Sequence, residues 1–289
     1  EAEKLHAINA AKTADFLVIV FDAIQGIKRT EQELFDELAA LNKPYIVVLN
    51  KIDLVKREEK QVVERSALNL RLKPSQIVPT SAKEGKHIEQ VVMAIAVAEP
   101  EIVAALGSAL PEYRWRLALR NIISAASLSA GIALAPLPII DMIPLLGVQS
   151  AMVLGIARIY NYNITIERAR ELLVTFGLGF LGRTLFQELS KLGGIPGWLL
   201  SSAIASSTTA VMGYAAVLWF GKGERLTTSS IKKISSDMTQ MLIDSLRSLG
   251  KKKPSKRILQ ERITQALEKS PLSQNQIVIE DIEKQNPPQ

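Results

Sequence analysis

The 289-residue sequence contains no cysteine and two histidines, His6 and His87. Without cysteine there are no disulfides, thiol nucleophiles or thiolate metal sites, and the composition is compatible with a reducing compartment. The two histidines are 81 positions apart in the chain. A histidine-based metal site or a Ser-His-Asp triad is therefore disfavoured.

Two familiar sequence signals are also missing. No segment matches Gly-x-x-x-x-Gly-Lys-Ser/Thr, the loop that cradles nucleotide phosphates. The first residues, Glu-Ala-Glu-Lys-Leu-His, lack the basic start and apolar run of a signal peptide, so secretion is not expected. Because the chain also lacks an initiator methionine, we expect it to begin inside a domain.

Charge is distributed unevenly along the chain. Residues 1–100 carry 14 Lys and Arg against 15 Asp and Glu, whereas residues 101–289 carry 21 against 14. The net charge of +6 therefore lies in the second part. With this length, the change in composition predicts more than one domain. We place the domains at 1–100, 111–222 and 223–289.

The first hundred residues alternate between strand and helix patterns. Apolar runs at 16–21 and 45–49 predict strands buried on both faces, and a short third strand is expected at 76–79. Helices are predicted at 3–12, 30–42, 56–70 and 86–98. Thr30 and Glu33 form a predicted capping box. Short connections favour a parallel sheet of α/β class, which binds ligands at the carboxyl ends of its strands.

Two polar motifs follow consecutive predicted strands. Asn50-Lys51-Ile52-Asp53 follows the run at 45–49, and Ser81-Ala82-Lys83 follows the strand at 76–79. A carboxylate such as Asp53 can accept hydrogen bonds from both N1–H and N2–H₂ of guanine, whereas adenine offers no such pair of donors. The alternative is that Asn50 and Asp53 form an Asx turn and cap the next helix.

The motifs, with the intervening Asp22-Ala-Ile-Gln-Gly-Ile and Lys43-Pro44, resemble the Era-like class of translation-factor-related GTPases over residues 1 to about 98. This resemblance implies GTP or GDP as the ligand. It also implies a role for each residue of the two motifs. In the first motif, Asp53 would bind the base edge, Lys51 would lie along the base, and Asn50 would tie the loops together. In the second motif, the Ala82 N–H would bind guanine O6, Ser81 would brace its loop, and Lys83 would cover the other face of the base.

The sequence departs from that family in its catalytic half. The phosphate-binding loop, the threonine of the first switch that coordinates Mg²⁺, and the Asp-x-x-Gly motif are absent. We therefore expect residues 1–100 to be the C-terminal half of a GTPase domain, with no catalytic residue and with Mg²⁺ bound only through upstream residues. The alternative is a non-catalytic membrane scaffold or remodelling protein with a vestigial nucleotide fold.

The second part contains three stretches without charge, at 121–140, 142–157 and 192–221. The segments Leu137–Gln149, Ile156–Tyr160 and Lys191–Gly197 resemble domain of unknown function 697, a helical family often fused behind Era-like GTPases, over residues 111–222. We expect an all-α, largely apolar domain that inserts into or binds a membrane, with the GTPase part in the cytoplasm. A soluble bundle is the alternative.

Cytoplasmic placement of both flanking parts requires an even number of membrane crossings. A hairpin at 121–157 satisfies this requirement if 192–221 re-enters or is buried. Asp141, inside the apolar region, is either a functional acid or the cap of a helix that begins at Met142 and has Pro144 in its first turn.

The last 68 residues are polar. Apolar positions at helical spacing predict an amphipathic helix over 231–249, followed by the basic run 251–257. The basic run could bind anionic lipid beside this helix, or it could be a solvated charge run. Nucleic acid is not favoured, because no aromatic residues are interleaved with the charges. The tail 271–289 is predicted to be disordered.

Overall fold

A computed structural model describes residues 2–55, 57–134, 142–175, 194–274 and 282–284. The chain divides into two compact units, Glu1–Leu106 and Gly107–Gln289. Asp141 lies outside the described residues, but a helix does begin at Met142, as the capping interpretation expects.

The first unit is built on a parallel sheet of three strands, β1 (Leu17–Asp22), β2 (Tyr45–Asn50) and β3 (Ile77–Pro79), in the order β1-β2-β3. Its helices are α1 (Ala2–Thr13), α2 (Arg29–Ala39), α3 (Glu59–Asn69) and α4 (Ile88–Ala98). In the register of the sheet, Asp22 lies beside Asn50. The predicted α/β class with a parallel sheet is confirmed.

The two long strands differ in burial. Residues 46–49 of β2 are all buried, as predicted for a strand covered on both faces. On β1, Leu17 and Phe21 are buried, but Val18 and Val20 are 45% and 56% exposed. The prediction that β1 is buried on both faces is therefore wrong. The reason is its position, because β1 is an edge strand, whereas α4 packs on β2 and β3.

Helix α2 begins earlier than predicted. Lys28 has extended backbone, with ψ at 160°, and its N–H donates to Oε2 of Glu31 at 2.8 Å. The predicted capping box of Thr30 and Glu33 is therefore wrong. Glu33 instead accepts from Nε of Arg29 at 3.1 Å on the exposed surface.

The second unit is a helical bundle. Helix α5 (Val103–Ala109) leads into it, and its remaining elements are α6 (Arg114–Ala133), α7 (Met142–Ile159), α8 (Ile166–Thr175), α9 (Gly197–Lys222), β4 (Glu224–Leu226), α10 (Thr228–Arg247), α11 (Lys256–Glu268) and β5 (Ile282–Lys284). Helix α9 packs against α6, α7 and α10, whereas α11 packs against α6 and α10. Thus α9 is the central helix of the bundle.

Helix α9 is long and apolar enough to cross a membrane, with a mean hydropathy of 1.4 over its most apolar 18 residues. All 18 residues of that window are buried by the rest of the protein. The central helix of a soluble bundle would have the same length and composition. Hydropathy therefore does not decide the environment of α9.

Hydroxyl groups link α9 to its three neighbouring helices. The Thr209 hydroxyl lies 3.0 Å from Oγ of Ser129 on α6 and accepts from Nε2 of Gln149 on α7 at 3.1 Å. The Ser207 and Thr239 hydroxyls are 2.6 Å apart, which joins α9 to α10. All five residues are buried. Ser207 and Thr209, two of the hydroxyl residues that dilute the apolar stretch, therefore join α9 to its neighbouring helices.

Helices α6, α7 and α9 approach closely at Gly213. A Cβ atom added there would lie 2.4 Å from Cγ1 of Ile122 and 3.0 Å from Sδ of Met152. Such contacts are shorter than real Cβ contacts, so these helices could not keep their spacing with a larger residue at this position.

The C-terminal elements complete the bundle. The apolar residues of α10, including Ile234, Met238 and Leu242, are buried, so its amphipathic face is used for packing. Leu272 is fully buried, and β5 pairs antiparallel with β4, placing Ile282 beside Leu226. The prediction of disorder is therefore wrong for the residues of the tail that the structure describes, 271–274 and 282–284.

Candidate functional site at the carboxyl ends of the strands

The parallel sheet brings the two sequence motifs to the same edge. Asn50 is the last residue of β2, and Ser81 is the second residue after the end of β3. The loops are joined through the backbone, since the Ile52 N–H donates to the Thr80 carbonyl at 3.2 Å. Ile52 is fully buried and anchors this turn in the core. The two motifs therefore form one continuous surface at the ends of the strands.

The Asn50 side chain links the two loops directly. Its Oδ1 accepts from the Lys51 N–H at 2.8 Å and from the Ala82 N–H at 3.0 Å. Two hydrogen bonds to one side-chain oxygen fix the start of the first loop and the middle of the second. This is the tying position that the resemblance implies for Asn50. In this structure the Ala82 N–H is engaged by Asn50, so a guanine O6 would have to share or take over this donor.

Lys51 adopts a left-handed backbone conformation, with φ at 68°, and its side chain points to the neighbouring strand end. Its Nζ lies 2.6 Å from Oδ2 of Asp22. The other carboxylate oxygen of Asp22 accepts from the Ile24 N–H at 2.8 Å. The hydrogen bond from Lys51 is the main cause that lowers the pKa of Asp22. Both ends of the Asp22 carboxylate are therefore engaged in holding this edge.

The sequence interpretation missed Asp22 as a site residue. A signal for it exists, because Asp22 closes a buried-type apolar run in the same way that Asn50 closes the next one. In a parallel sheet, such terminal polar residues come side by side, as the register of Asp22 with Asn50 shows. The motif pattern alone did not reveal that Lys51 would point to this carboxylate.

The Ser81 loop is braced from within. The backbones of Ser81 and Lys86 exchange two hydrogen bonds of 3.0 Å, and the Ser81 hydroxyl accepts from the Glu84 N–H at 3.1 Å. The Thr80 hydroxyl donates to the Lys86 carbonyl at 2.7 Å. Ser81 is fully buried, as suits a bracing residue. The loop is therefore shaped before any ligand binds, leaving Ala82 and Lys83 on its exposed side.

Asp53 lies in the short 3₁₀ turn Ile52–Leu54 and is half-buried. Partial burial matters because a carboxylate that is shielded from water discriminates more strongly between ligands that donate to it and ligands that do not. Asp53 follows the residue whose backbone joins the two loops, Ile52. It is thus carried by a turn that Ile52 anchors in the core.

The residues present fit the base of a guanine nucleotide better than its phosphates. Acceptors and donors suited to a base edge come from Asp53 and Ala82, and two lysines, Lys51 and Lys83, have aliphatic stems that can cover base faces. The sequence contains no glycine-rich loop ending in Gly-Lys-Ser/Thr to cradle phosphates. Among the described residues, no cluster of three or more acidic or histidine side chains could hold a metal ion.

Comparison with known families follows the division of the chain. The family described as elongation factor Tu GTP binding domain matches residues 5–101. The family described as domain of unknown function (DUF697) matches residues 100–245, just over half of the chain. The chain belongs to the DUF697 family. Its DUF697 region begins where the GTP binding domain match ends, which confirms the two resemblances seen in the sequence.

Curated relatives of this DUF697 protein carry the names of GTPases. GTPase Der of Thermotoga sp. (strain RQ2) is 30% identical over 129 residues, covering 43% of this chain and 28% of the relative. GTPase Era of Afipia carboxidovorans is 32% identical over 95 residues, covering 33% and 30%. GTPase HflX of Akkermansia muciniphila is 42% identical over 85 residues, covering 27% and 18%.

The chain thus spans less than a third of the length of these relatives. No solved structure gave a significant match to it.

Proposed function

We propose that the first unit recognises the base of a guanine nucleotide, GTP or GDP. The observation that carries this proposal is the hydrogen bond between Asn50 Oδ1 and the Ala82 N–H, which unites the two motif loops into one pocket edge. The match to a GTP binding domain over residues 5–101 supports it, as do the GTPase relatives.

In this proposal, Asp53 accepts from N1–H and N2–H₂ of guanine. Adenine does not offer this pair of donors to the half-buried carboxylate, which disfavours adenine relative to guanine by about 1–3 kcal/mol. The Ala82 N–H moves from Asn50 Oδ1 to guanine O6. The stems of Lys51 and Lys83 cover the two faces of the base, and Ser81 holds the second loop in shape.

We propose that GTP hydrolysis requires a phosphate-binding segment that these 289 residues do not contain. Positioning and electrostatic stabilisation of the phosphates provide nearly all of the catalysis in this reaction class, and Mg²⁺ would be bound by that same segment. The position of β1 supports this view, because among the described strands β1 lies at an edge of the sheet, and such an edge can pair with a further strand.

We further propose that the helical unit attaches the protein to a membrane, with the nucleotide unit on the cytoplasmic side. The length and hydropathy of α9 are compatible with this proposal. Because α9 is covered by α6, α7 and α10, lipid would meet the outer helices of the bundle. Extraction of cell membranes with alkaline carbonate tests the proposal. The protein is expected in the membranes before extraction, and its absence from them would contradict attachment. Retention in the pellet would then indicate insertion, and release would indicate attachment at the surface.

Base recognition is tested by ligand-observed NMR, which detects the weak binding expected without phosphate contacts. The protein is mixed with GMP, AMP or XMP. The native chain should bind GMP and not AMP. Asp53→Asn should lose about 2–3 kcal/mol of GMP binding, roughly 30- to 150-fold, because a charge-assisted pair is lost. It should gain XMP binding, because an amide donor matches the O2 atom of xanthine.

Asp36→Asn is the matched control. It makes the same chemical change at an exposed position of α2. Its binding should equal that of the native chain. Unchanged GMP selectivity in Asp53→Asn, or an equal loss in Asp36→Asn, would refute the assignment. Native binding to GMP and AMP alike would favour the vestigial, non-catalytic scaffold.

A further inference from the structure

The connection between α10 and α11 forms a positively charged end of the helical bundle. It comprises the exposed side chains of Arg247, Lys251, Lys252, Lys253, Lys256 and Arg257, which we call the basic end. Arg247 pairs with Asp244 at 3.0 Å, and Arg257 pairs with Glu261 at 2.9 Å. Within the described parts of the chain, no acidic side chain pairs with the four lysines. Their positive charge is therefore available to a ligand.

The start of the apolar helix α9 lies at the same place. The indole Nε1 of Trp198, in the first turn of α9, donates to the Lys251 carbonyl at 3.1 Å. Trp198 is half-buried, so part of its ring faces outward beside the lysine run. A tryptophan anchored among lysines at the end of an apolar helix is the arrangement that favours the boundary between water and lipid.

An exposed aliphatic residue completes this end. Ile258, in the first turn of α11, is 49% exposed although its neighbour Leu259 is fully buried. A Cβ atom on Gly131 of α6 would lie 3.1 Å from Nε2 of Gln260, so the start of α11 packs against the C-terminal part of α6. Cations, a half-buried indole and an exposed aliphatic side chain therefore occur together at this end of the bundle.

We propose that the basic end binds the surface of a bilayer that contains anionic lipid. This deepens the proposed membrane attachment, and it rests on that proposal. The lysines attract lipid phosphates, whereas Trp198 and Ile258 enter the headgroup region. The amphipathic face of α10 takes no part, because it is buried in the bundle. The phosphates of a nucleic acid would bind the same lysines, but they would gain nothing from an exposed isoleucine.

The test uses the full chain and vesicle flotation. Vesicles contain phosphatidylcholine alone or phosphatidylcholine mixed with phosphatidylglycerol. The native chain should bind the mixed vesicles much more tightly, and less so as salt is added. Replacing Lys251, Lys252 and Lys253 together by Gln should weaken binding on the order of 100-fold, since each lysine near an anionic surface contributes a factor of about five.

The control removes the same charge from other elements. Arg158→Gln, Lys222→Gln and Lys269→Gln together change exposed residues at the C-terminal ends of α7, α9 and α11. This variant should bind mixed vesicles within about twofold of the native chain, as expected when charges lie beyond a Debye length from the lipid. Tryptophan fluorescence checks that both variants stay folded.

Ile258→Ser separates lipid from other polyanions. It should weaken binding to mixed vesicles about fivefold, because an inserted aliphatic group is lost, and leave binding to RNA unchanged. Equal losses in the two triple variants would overturn the assignment of this surface. Equal native binding to both kinds of vesicle would overturn the anionic requirement and leave membrane attachment standing. Native binding to RNA but to no vesicle would overturn both proposals.

Discussion

The hydroxyl contacts of α9 lead to a sharp prediction, because two adjacent threonines make different bonds. Thr209 connects three helices through Ser129 and Gln149. Each hydroxyl also bonds to a carbonyl of its own helix at 2.7 Å, Thr209 to that of Ala205 and Thr208 to that of Ile204, so the two sites differ in the pair of bonds that Thr209 makes to other helices. Both residues are buried, at 0% and 5% exposure. The same change to valine at each site therefore compares a hydroxyl shared between helices with a local one.

The expected magnitudes follow from the partners left behind. In Thr209→Val, the buried Gln149 amide loses its acceptor and the buried Ser129 hydroxyl loses a partner, each at about 1–3 kcal/mol. We expect a loss of about 2–4 kcal/mol in the free energy of unfolding. In Thr208→Val, no group on another helix is orphaned, and the helix keeps its own backbone bonds. We expect a loss below about 1 kcal/mol.

The assay is urea denaturation followed by tryptophan fluorescence. The three tryptophans, Trp115, Trp198 and Trp219, all belong to the helical unit, so the signal reports the unfolding of that unit. With an m-value of about 2 kcal/mol/M, Thr209→Val should lower the midpoint by about 1–2 M. Equal midpoints for the two variants would refute the view that Thr209 joins the helices.

Two further predictions concern the close contact of the bundle and the strand edge. Gly213→Ala should lower the free energy of unfolding by about 1–3 kcal/mol through overpacking against Ile122. Gly147 has open space around it, so Gly147→Ala should not destabilise the protein. Urea denaturation followed by tryptophan fluorescence compares the two variants, and equal midpoints would contradict the geometry. Asp22→Asn should weaken GMP binding about threefold by releasing Lys51, and it should lower the free energy of unfolding by less than about 1 kcal/mol. The pKa of Asp22 lies below its ordinary value of 3.8. As the pH falls through this lowered pKa, the native chain should therefore lose more stability than the variant, and parallel acid titrations of the two would contradict this.

The sequence predicted the nucleotide unit well, because its signals are local. Continuous apolar runs gave β1 and β2, and polar residues at their ends gave the site edge. Burial of β1 was not predictable, since Val18 and Val20 depend on what lies beside the strand and not on the run itself. The bond between Lys51 and Asp22 was missed for a similar reason, because it joins residues 29 positions apart.

The helical unit was harder to predict, because its decisive contacts are not local. Helical spacing correctly placed α10, but periodicity could not reveal that its apolar face packs on α9. The α9 hydroxyls were compatible with both a membrane helix and a soluble one. Their partners, Ser129 and Gln149, lie 80 and 60 positions away in the chain. The packing of these helices therefore could not be predicted from the composition of the sequence and required the three-dimensional contacts.

These contacts restrict how the protein can meet a membrane. A lipid-facing helix presents apolar side chains outward, yet most residues of α9 are buried by the rest of the protein. Several of its hydroxyls, those of Ser202, Ser207 and Thr209, bond to groups on α6, α7 and α10, so this part of α9 is packed as a protein core. Among the described residues, a bilayer can therefore contact the outer faces of the bundle or its ends. The basic end offers unpaired lysines beside Trp198, which makes surface attachment there compatible with a buried α9.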